Sequence, residues 1–168
     1  MITVRGLLCE VEPRTFQITI MGRVFSINIG IEKGEPKSMI SSGFLKEDHG
    51  FVGDCHAGPG IRQVSLLAIE EIEKVEAGHP EVDFQPGIFA ENITTEGLDL
   101  SKIRVGDHLL IGSDVTLKVT QIGKECRKGC SISRVVGDCI MPRQGIFAIV
   151  EKGGPIKTQD QIAFRRHR

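Results

Sequence analysis

The high content of glycine and proline restricts the folds open to this chain more than any other feature of its sequence: 20 of the 168 residues are glycine and seven are proline. Glycine adopts the positive φ angles that tight turns need, and proline ends regular elements. Between these turn residues lie short runs in which apolar and polar side chains alternate, which is the period of a β-strand. The pattern predicts a mostly β fold, a closed or partly closed β-barrel, with a few short helices.

Several runs predict individual strands. Residues 109–111 and 115–121 flank a Gly-Ser-Asp turn, so they predict a β-hairpin. Residues 23–29 alternate as a strand does, and residues 146–150 form the nearly continuous apolar run that is typical of a buried strand. A short last strand is expected at residues 161–164.

One helix is predicted, from an N-cap at Ser65 to about Glu76. Its buried face is expected to carry the apolar residues that recur along this segment, Leu66, Ile69, Ile72 and Val75. Residues 41–63, which precede the helix, are rich in glycine and charge and predict a long loop of the functional kind.

The chain is expected to consist of an N-terminal extension, residues 1–22, and one domain, residues 23–168. Residues 2–4 and 16–20 alternate on either side of a Glu-Pro-Arg turn, which fits a hairpin. Met21 is a second candidate start of the chain. Both interpretations, an added hairpin and an over-extended start, stay open at this point.

Composition excludes several classes of function. The formal net charge is −1 and tryptophan and tyrosine are absent, so nothing indicates a nucleic acid or an anionic membrane as a partner. No apolar run is long enough for a membrane span or an export signal. Five cysteines, an odd number, predict reduced thiols in the cytosol and not a disulfide framework.

Cys126 is the strongest candidate for chemistry. It follows an alternating run and has Lys124, Arg127 and Lys128 as neighbours. Nearby cations stabilise a thiolate, which is the form of cysteine that attacks or binds metal. A zinc site made of Cys126, Cys130 and Cys139 with Cys55 or His56 is a weaker alternative, because the spacing lacks paired C-x-x-C motifs. Cys9 and Cys139 fit buried thiols better than participants, and Ile140 and Met141 fit the core.

Two further segments carry polar residues suited to a site. Residues 53–65 contain Asp54, Cys55, His56 and Arg62 and lead into the predicted helix, whose start would suit an anion such as phosphate. On composition alone a tight turn, in which Asp54 and His56 bind loop backbone, is the better interpretation. In residues 86–97 the polar side chains of Glu91, Asn92, Thr94 and Thr95 fit either a pocket wall or the hydrogen bonds of turns and strand ends.

Taken together, these segments closely resemble the MOSC domain, named for the C-terminal domain of molybdenum cofactor sulfurases. The resemblance runs from about Arg23 to the C-terminus in the family's order. It rests on Gly53-Asp54-x-His56-Ala57-Gly58, Gln63-Val64-Ser65-Leu66-Leu67, Pro86-Gly87-x-Phe89-x-Glu91-Asn92-Ile93-Thr94-Thr95-Glu96-Gly97-Leu98, Val105-Gly106-Asp107 and Thr120-Gln121 followed by Cys126. It implies a barrel like that of pyruvate kinase, with a cleft for the molybdenum cofactor, a pterin dithiolene that carries a phosphate.

The resemblance also implies roles for single residues. Cys126 matches the family cysteine thought to carry sulfur as a persulfide or to ligate molybdenum. Asp54 and His56 match the family's loop, and the pocket-lining segment is matched by Glu91, Asn92 and Thr94. On charge alone, four cations are candidates for the cofactor phosphate: Arg62, Lys124, Arg127 and Arg143. Cys55 departs from the family pattern, either as a second, resolving thiol or as a neutral change.

Three functions follow from the resemblance. The first is a cytosolic molybdenum-cofactor protein that carries sulfur or delivers the cofactor, with cofactor-synthesis proteins, molybdoenzymes and a sulfur donor as partners. The second is a molybdenum-dependent reductase of N-hydroxylated compounds, which would need an external electron donor. The third is a binding module without chemistry. Pyridoxal phosphate is not predicted, because the sulfurases bind it in a separate domain and no lysine context here suggests a Schiff base.

Overall fold

The structure is a computed structural model that describes residues 19–125, 134, 137 and 139–166. Eleven strands are described. They are β1 (Thr19–Ile29), β2 (Ser38–Ile40), β3 (Ser42–Lys46), β4 (Gly50–Phe51), β5 (Val64–Ala68), β6 (Ile93–Glu96), β7 (His108–Ile111), β8 (Val115–Ile122), β9 (Ile146–Lys152), β10 (Gly154–Lys157) and β11 (Gln161–Arg165). Two α-helices, α1 (Ile69–Glu76) and α2 (Met141–Gln144), and a 3₁₀ helix at Leu100–Lys102 complete the described elements.

Seven of these strands close into a barrel. Their order is β11-β7-β8-β9-β5-β6-β1, and β1 pairs again with β11. Strands β5 and β6 are the one parallel pair among the described strands, and α1 lies in the connection between them, as a parallel crossover requires. Strand β2 pairs with the end of β1, and β10, β3 and β4 form a separate small sheet. The predicted mostly β barrel is confirmed.

Apolar side chains from alternate strand positions fill the barrel. Leu117 and Val119 of β8 and Ile146 and Ala148 of β9 belong to one buried cluster inside it. Phe147 points the other way, into a second cluster that also contains Ile69 and Ile72 of α1. The sequence of β9 is a continuous apolar run because one face of the strand packs inside the barrel and the other packs in the second cluster.

Most sequence predictions for single elements are confirmed. The hairpin is β7 and β8, residues 23–29 lie in β1, residues 146–150 lie in β9, and residues 161–164 lie in β11. Ile140 and Met141 are buried, as predicted.

The predicted helix start at Ser65 is wrong. Residues 64–68 form β5, which pairs with β6 on one side and β9 on the other, and the helix begins only at Ile69. All five residues of β5 are buried, so pairing on both edges outweighs the threefold spacing that suggested a helix. The glycine-rich segment therefore leads into a strand, and the expected helix N-terminus for an anion is absent at Ser65.

The prediction of a loop over residues 41–63 also needs correction. Its first part contains β3 and β4, which pair with each other, and β3 pairs in addition with β10. Both strands are short, and the charged and polar turn at residues 47–49 separates them, so no alternating run is long enough to predict either one. A shorter loop, residues 52–63 (the glycine-rich loop), remains between β4 and β5.

The N-terminal prediction lies mostly outside the described residues. Strand β1 begins at Thr19, and its first residues pair with Phe164 and Ala163 of β11. Whether residues 1–22 form a separate extension stays a prediction. No helix in the described part of the chain is long and apolar enough to cross a membrane.

Candidate functional site

A groove of about 510 Å³ opens beside the barrel where several segments meet. The glycine-rich loop and the segment before β6 form two of its walls, and the chain after β8 and before α2 forms another. Its described lining residues are Lys33, Gly34, His56, Pro59, Gly60, Ile61, Arg62, Ser65, Phe89, Ala90, Asn92, Lys124, Glu125, Cys139, Met141 and Phe147. This volume is in the usual range of ligand sites, roughly 300–1,000 Å³.

Cations surround an aromatic surface in this groove. The guanidinium of Arg62 lies 5.9 Å from the centre of the Phe147 ring, and the Lys124 ammonium lies 5.7 Å from it. Lys33 adds a third cation, and Glu125 is the single acid among the described lining residues. Both cation–ring distances are within the range of cation–π attraction. The arrangement therefore suits a flat ligand that carries negative charge.

A buried ion pair anchors the glycine-rich loop behind this groove. Lys37 Nζ donates to Asp54 Oδ2 at 2.7 Å, and both side chains are 1% exposed. The same oxygen accepts from Gly30 N at 3.0 Å, while Asp54 Oδ1 accepts from His56 N at 2.9 Å. Asp54 thus fixes the backbone on which His56 stands.

Both partners of this pair have shifted pKa values. Burial opposes ionisation of Asp54, but hydrogen bonds from His56, Gly30 and Lys37 outweigh it and hold the pKa of this carboxyl well below its ordinary value. Burial lowers the pKa of Lys37, and the Asp54 carboxylate opposes that shift. Asp54 is therefore ionised in the folded protein, and it supplies the charge that keeps a lysine in a buried place.

Cys55 and His56 stand side by side on this anchored loop. Cys55 Sγ lies 3.2 Å from His56 Nδ1, and His56 Nδ1 lies 3.7 Å from Asp54 Oδ1. Burial and the Asp54 carboxylate raise the pKa of the Cys55 thiol, although Lys37 and Lys33 oppose them. His56 lines the groove, whereas Cys55 is adjacent to a lining residue.

Glu91 and Thr94 lie in a buried polar network and not on the groove wall. Glu91 Oε1 accepts from Gly87 N at 2.5 Å and from Thr94 Oγ1 at 2.9 Å, and Thr94 Oγ1 accepts from Asn28 Nδ2 at 3.1 Å. The second oxygen, Oε2, is buried without a partner among the described residues. Burial raises the pKa of Glu91 because an ionised carboxylate there would lack water.

Asn92 joins this network to the groove that it lines. Its Oδ1 accepts from Ser65 N and Ser65 Oγ, both at 3.1 Å, and its Nδ2 donates to the Asn28 carbonyl at 3.3 Å. These contacts tie β1, β5 and the start of β6 together. With Asn28, Lys37, Asp54, Glu91 and Thr94, Asn92 makes up a set of buried polar side chains that we call the polar layer.

Gly87 connects the two halves of the polar layer. Its φ is +92°, and a side chain there would place a Cβ 2.3 Å from the carbonyl oxygen of Lys37. Its N–H donates to Glu91, and its carbonyl accepts from Lys37 N at 2.8 Å. Only glycine fits this close approach of two backbones.

The structure separates the predicted cations. Arg62 and Lys124 line the groove, but Arg143 lines a second cavity of about 670 Å³ beside α1. Cys126 and Arg127 lie outside the described residues, so their roles stay predictions. Cys139, expected as a buried thiol, is half-buried and lines the groove.

The sequence patterns did not predict a role in the site for three residues. Lys33 and Phe147 line the groove, and Lys37 pairs with Asp54. Phe147 was assigned only to a buried strand, since a continuous apolar run does not show which of its side chains meets a cavity. A lysine in the connection between two strands gives no sign that it will be buried, because its partner is 17 residues away in sequence.

Comparison of the sequence with models of protein families identifies the family to which this barrel belongs. The profile of the MOSC domain matches residues 52–163, so this chain belongs to the MOSC domain family. That match includes the glycine-rich loop, the polar segment before β6 and the strands that hold them.

Solved structures agree with this assignment. YuaD from Bacillus subtilis superposes with a TM-score of 0.73 and 17% identity over 90% of this chain and 100% of that one. YiiM from Escherichia coli gives 0.66 and 18% over 88% and 71%, and YiiM from Geobacillus stearothermophilus gives 0.66 and 19% over 86% and 75%. At these identities the likeness shows the fold alone. No curated protein gives a significant sequence match.

Proposed function

We propose that this protein binds the molybdenum cofactor in the groove. Through Cys126 it either carries sulfur for the cofactor or delivers the cofactor to another protein. The MOSC family is associated with this cofactor, which is flat at its pterin and anionic at its phosphate. One observation carries the proposal: Arg62 and Lys124 lie on the ring of Phe147 in a groove that contains three lysine or arginine residues. These residues fit both parts of such a ligand.

Each described residue has a defined contribution. Arg62, Lys124 and Lys33 would hold the phosphate, since their charges are otherwise opposed in the groove only by Glu125 among the described lining residues. Phe147, Phe89 and Met141, which are almost wholly buried, form the apolar base of the groove beneath the ring system. The bound group would supply molybdenum redox chemistry and dithiolene sulfur. Asn92 and the Lys37–Asp54 pair position the two walls between which it would lie.

The sulfur role is assigned to Cys126 through its place in the chain. It directly follows Glu125, a lining residue, and three of its near neighbours in sequence are basic. Its thiolate would attack the outer sulfur of a donor protein's persulfide, so that the donor leaves as a thiolate and Cys126 becomes the persulfide. No net oxidation is needed. Partners of this chemistry are a persulfide donor and a protein of cofactor synthesis or a molybdoenzyme.

Cofactor retention tests the groove. Protein purified from a molybdate-fed host that makes the cofactor should contain molybdenum and fluorescent pterin. The double variant Arg62→Ala/Lys124→Ala should lose most of both, because the phosphate loses two of its cations. Arg143→Ala, in the second cavity, is the matched control and should retain them. Equal retention in the double variant, or no cofactor in the wild type, would contradict the proposal.

Sulfane sulfur tests Cys126. Cys126→Ala should abolish cyanide-releasable sulfur after incubation with a persulfide donor, whereas Cys139→Ala should keep it. If Cys126→Ala changes neither sulfur loading nor cofactor content, Cys126 is not the sulfur carrier, and a binding module without chemistry at Cys126 replaces the proposal. Reduction of benzamidoxime by the loaded wild type with artificial electrons would instead favour the reductase.

A further inference from the structure

Three consecutive residues of the glycine-rich loop present different metal-ligand atoms to one another. The carboxylate of Asp54, the thiol of Cys55 and the imidazole of His56 each offer one donor atom, and these atoms all lie within 4.8 Å of one another. Carboxylate oxygen, thiolate sulfur and imidazole nitrogen together are ligands that Zn²⁺ and Co²⁺ accept. This donor set is independent of the cations that line the groove.

The distances between the donor atoms fit a tetrahedral site. Zinc bonds of about 2.0–2.3 Å at tetrahedral angles place neighbouring ligand atoms roughly 3.3–3.6 Å apart. Cys55 Sγ lies 3.2 Å from His56 Nδ1, and His56 Nδ1 lies 3.7 Å from Asp54 Oδ1. The sulfur–nitrogen edge is thus slightly short and the nitrogen–oxygen edge slightly long, and each needs an adjustment of about 0.4 Å at most when an ion binds.

The surroundings of Asp54 leave it able to ligate an ion. Lys37 Nζ and Gly30 N occupy Oδ2, whereas Oδ1 accepts a single backbone hydrogen bond, from His56 N. Oδ1 thus retains a lone pair, and the contacts at Oδ2 fix its direction. Metal-binding carboxylates are commonly held by such outer hydrogen bonds. The Asp54 and Cys55 anions would together neutralise the two charges of a divalent ion.

The backbone of the loop is held in place. Cys55 N donates to the Gly30 carbonyl at 2.8 Å, Ala57 N donates to Asp54 O at 3.0 Å, and Gly58 N donates to His49 O at 2.7 Å. A loop fixed at these points needs little ordering when an ion binds, which favours affinity. The third edge, from Cys55 Sγ to the Asp54 carboxylate, is at most 4.8 Å.

We propose that Asp54, Cys55 and His56 form a binding site for a zinc-like divalent ion, with its fourth position open toward the groove that His56 lines. Three protein ligands and one exchangeable position are the arrangement of reactive zinc sites, in contrast to closed structural ones. An ion here would place a Lewis acid at the edge of the groove, where it can accept a small anion or a thiolate as its fourth ligand.

Cobalt substitution tests the site without reference to molybdenum. The full-length protein, made in a host that cannot synthesise the cofactor, is titrated with Co²⁺ and followed by its thiolate-to-cobalt absorption, then displaced with Zn²⁺. The wild type should bind one Co²⁺ per chain with this absorption. Cys55→Ser should lose the absorption, and His56→Ala should weaken Co²⁺ binding at least about tenfold.

Two thiols serve as controls. Cys139→Ser and Cys126→Ser should keep the cobalt absorption, because neither residue belongs to the proposed ligand set. Loss of the absorption in Cys126→Ser with retention in Cys55→Ser would overturn the site, as would the absence of Co²⁺ binding in the wild type. None of these outcomes depends on whether the protein retains the molybdenum cofactor.

Discussion

The interior of the barrel and the polar layer beside the groove are equally buried but are built on opposite principles. Leu117 in the barrel and Glu91 in the polar layer are both 0% exposed. Leu117 needs only apolar neighbours and is stabilised by the surface it removes from water. Glu91 and the Lys37–Asp54 pair need individual partners at fixed distances, and their desolvation costs free energy that the partners only partly return.

The location of the polar layer explains why such residues are tolerated. Asp54 directly precedes the Cys55–His56 pair, and Asn92 itself lines the groove. Directional hydrogen bonds fix these positions more narrowly than apolar packing does, since a hydrogen bond weakens steeply with distance and angle. The barrel thus stabilises the fold, and the polar layer holds the residues of the groove in fixed positions.

Lys37→Met should cause the largest loss of stability. Without the ammonium, Asp54 becomes an unpaired buried charge, which costs about 3–5 kcal/mol. The free energy of unfolding from urea titrations measures this loss. The matched control is Lys102→Met, since Lys102 pairs with Asp99 on the surface, where solvent screening leaves such a pair little effect on stability.

The Lys37 variant also tests the positional role of the polar layer. Under conditions in which Lys37→Met is still folded, cobalt binding at Cys55 and His56 should weaken together with stability. A double-mutant cycle with Asp54→Asn should show strong coupling. Additive losses, or a loss no greater than that of Lys102→Met, would contradict the buried pair as the anchor of the loop.

Leu117→Ala should cost nearly as much stability but leave the site intact. Removal of a fully buried leucine creates a cavity inside the barrel and costs about 3 kcal/mol. Urea titration gives the loss, and cobalt titration of the folded variant should match that of the wild type. If Leu117→Ala weakens cobalt binding as much as Lys37→Met does, the barrel interior also positions the site, and the separate roles of barrel and polar layer are wrong.

The same contrast explains what the sequence could predict. Alternating runs report burial along a single strand, so β8, β9, β11 and the closed barrel followed from local patterns. Residues 65–68 were assigned to the start of a helix because a short apolar run satisfies both periods, and only pairing with β6 and β9 selects the strand. Local pattern is sufficient where each residue needs only an apolar environment.

The site depended on contacts that no local pattern contains. The groove does bring together His56, Arg62, Asn92 and Lys124, which were singled out by composition and by resemblance to the MOSC family. Arg143 was chosen by charge alone and lies in another cavity. Lys37 could not be found, because a buried lysine is defined by a partner that is distant in sequence. The role of Cys126 stays a prediction.

Glu91→Gln should change stability less than Lys37→Met or Leu117→Ala does. At neutral pH and above it should stabilise the protein, whereas the other two variants destabilise it. Wild-type Glu91 has an unpartnered buried oxygen among the described residues, and burial raises its pKa above the unfolded value. Between these two pKa values the folded state binds more protons than the unfolded state, so wild-type stability falls as pH rises. The neutral amide avoids this loss. We expect Glu91→Gln to match the wild type near pH 4 and to exceed it by about 1 kcal/mol at pH 8.

Glu71→Gln is the matched control with the reverse pH dependence. Lys74 donates to Glu71 at 2.5 Å and lowers the pKa of this carboxyl, so its stabilising contribution is present above the unfolded pKa and is lost as pH falls through the folded value. Urea titrations of both variants from about pH 3 to 8 should therefore give stability differences of opposite slope. The Glu71→Gln difference should change below the ordinary pKa of glutamate, and the Glu91→Gln difference should change above it. A flat difference for Glu91→Gln would mean that Glu91 is already ionised and solvated in the folded protein, and the polar layer would then carry no desolvation cost at this residue.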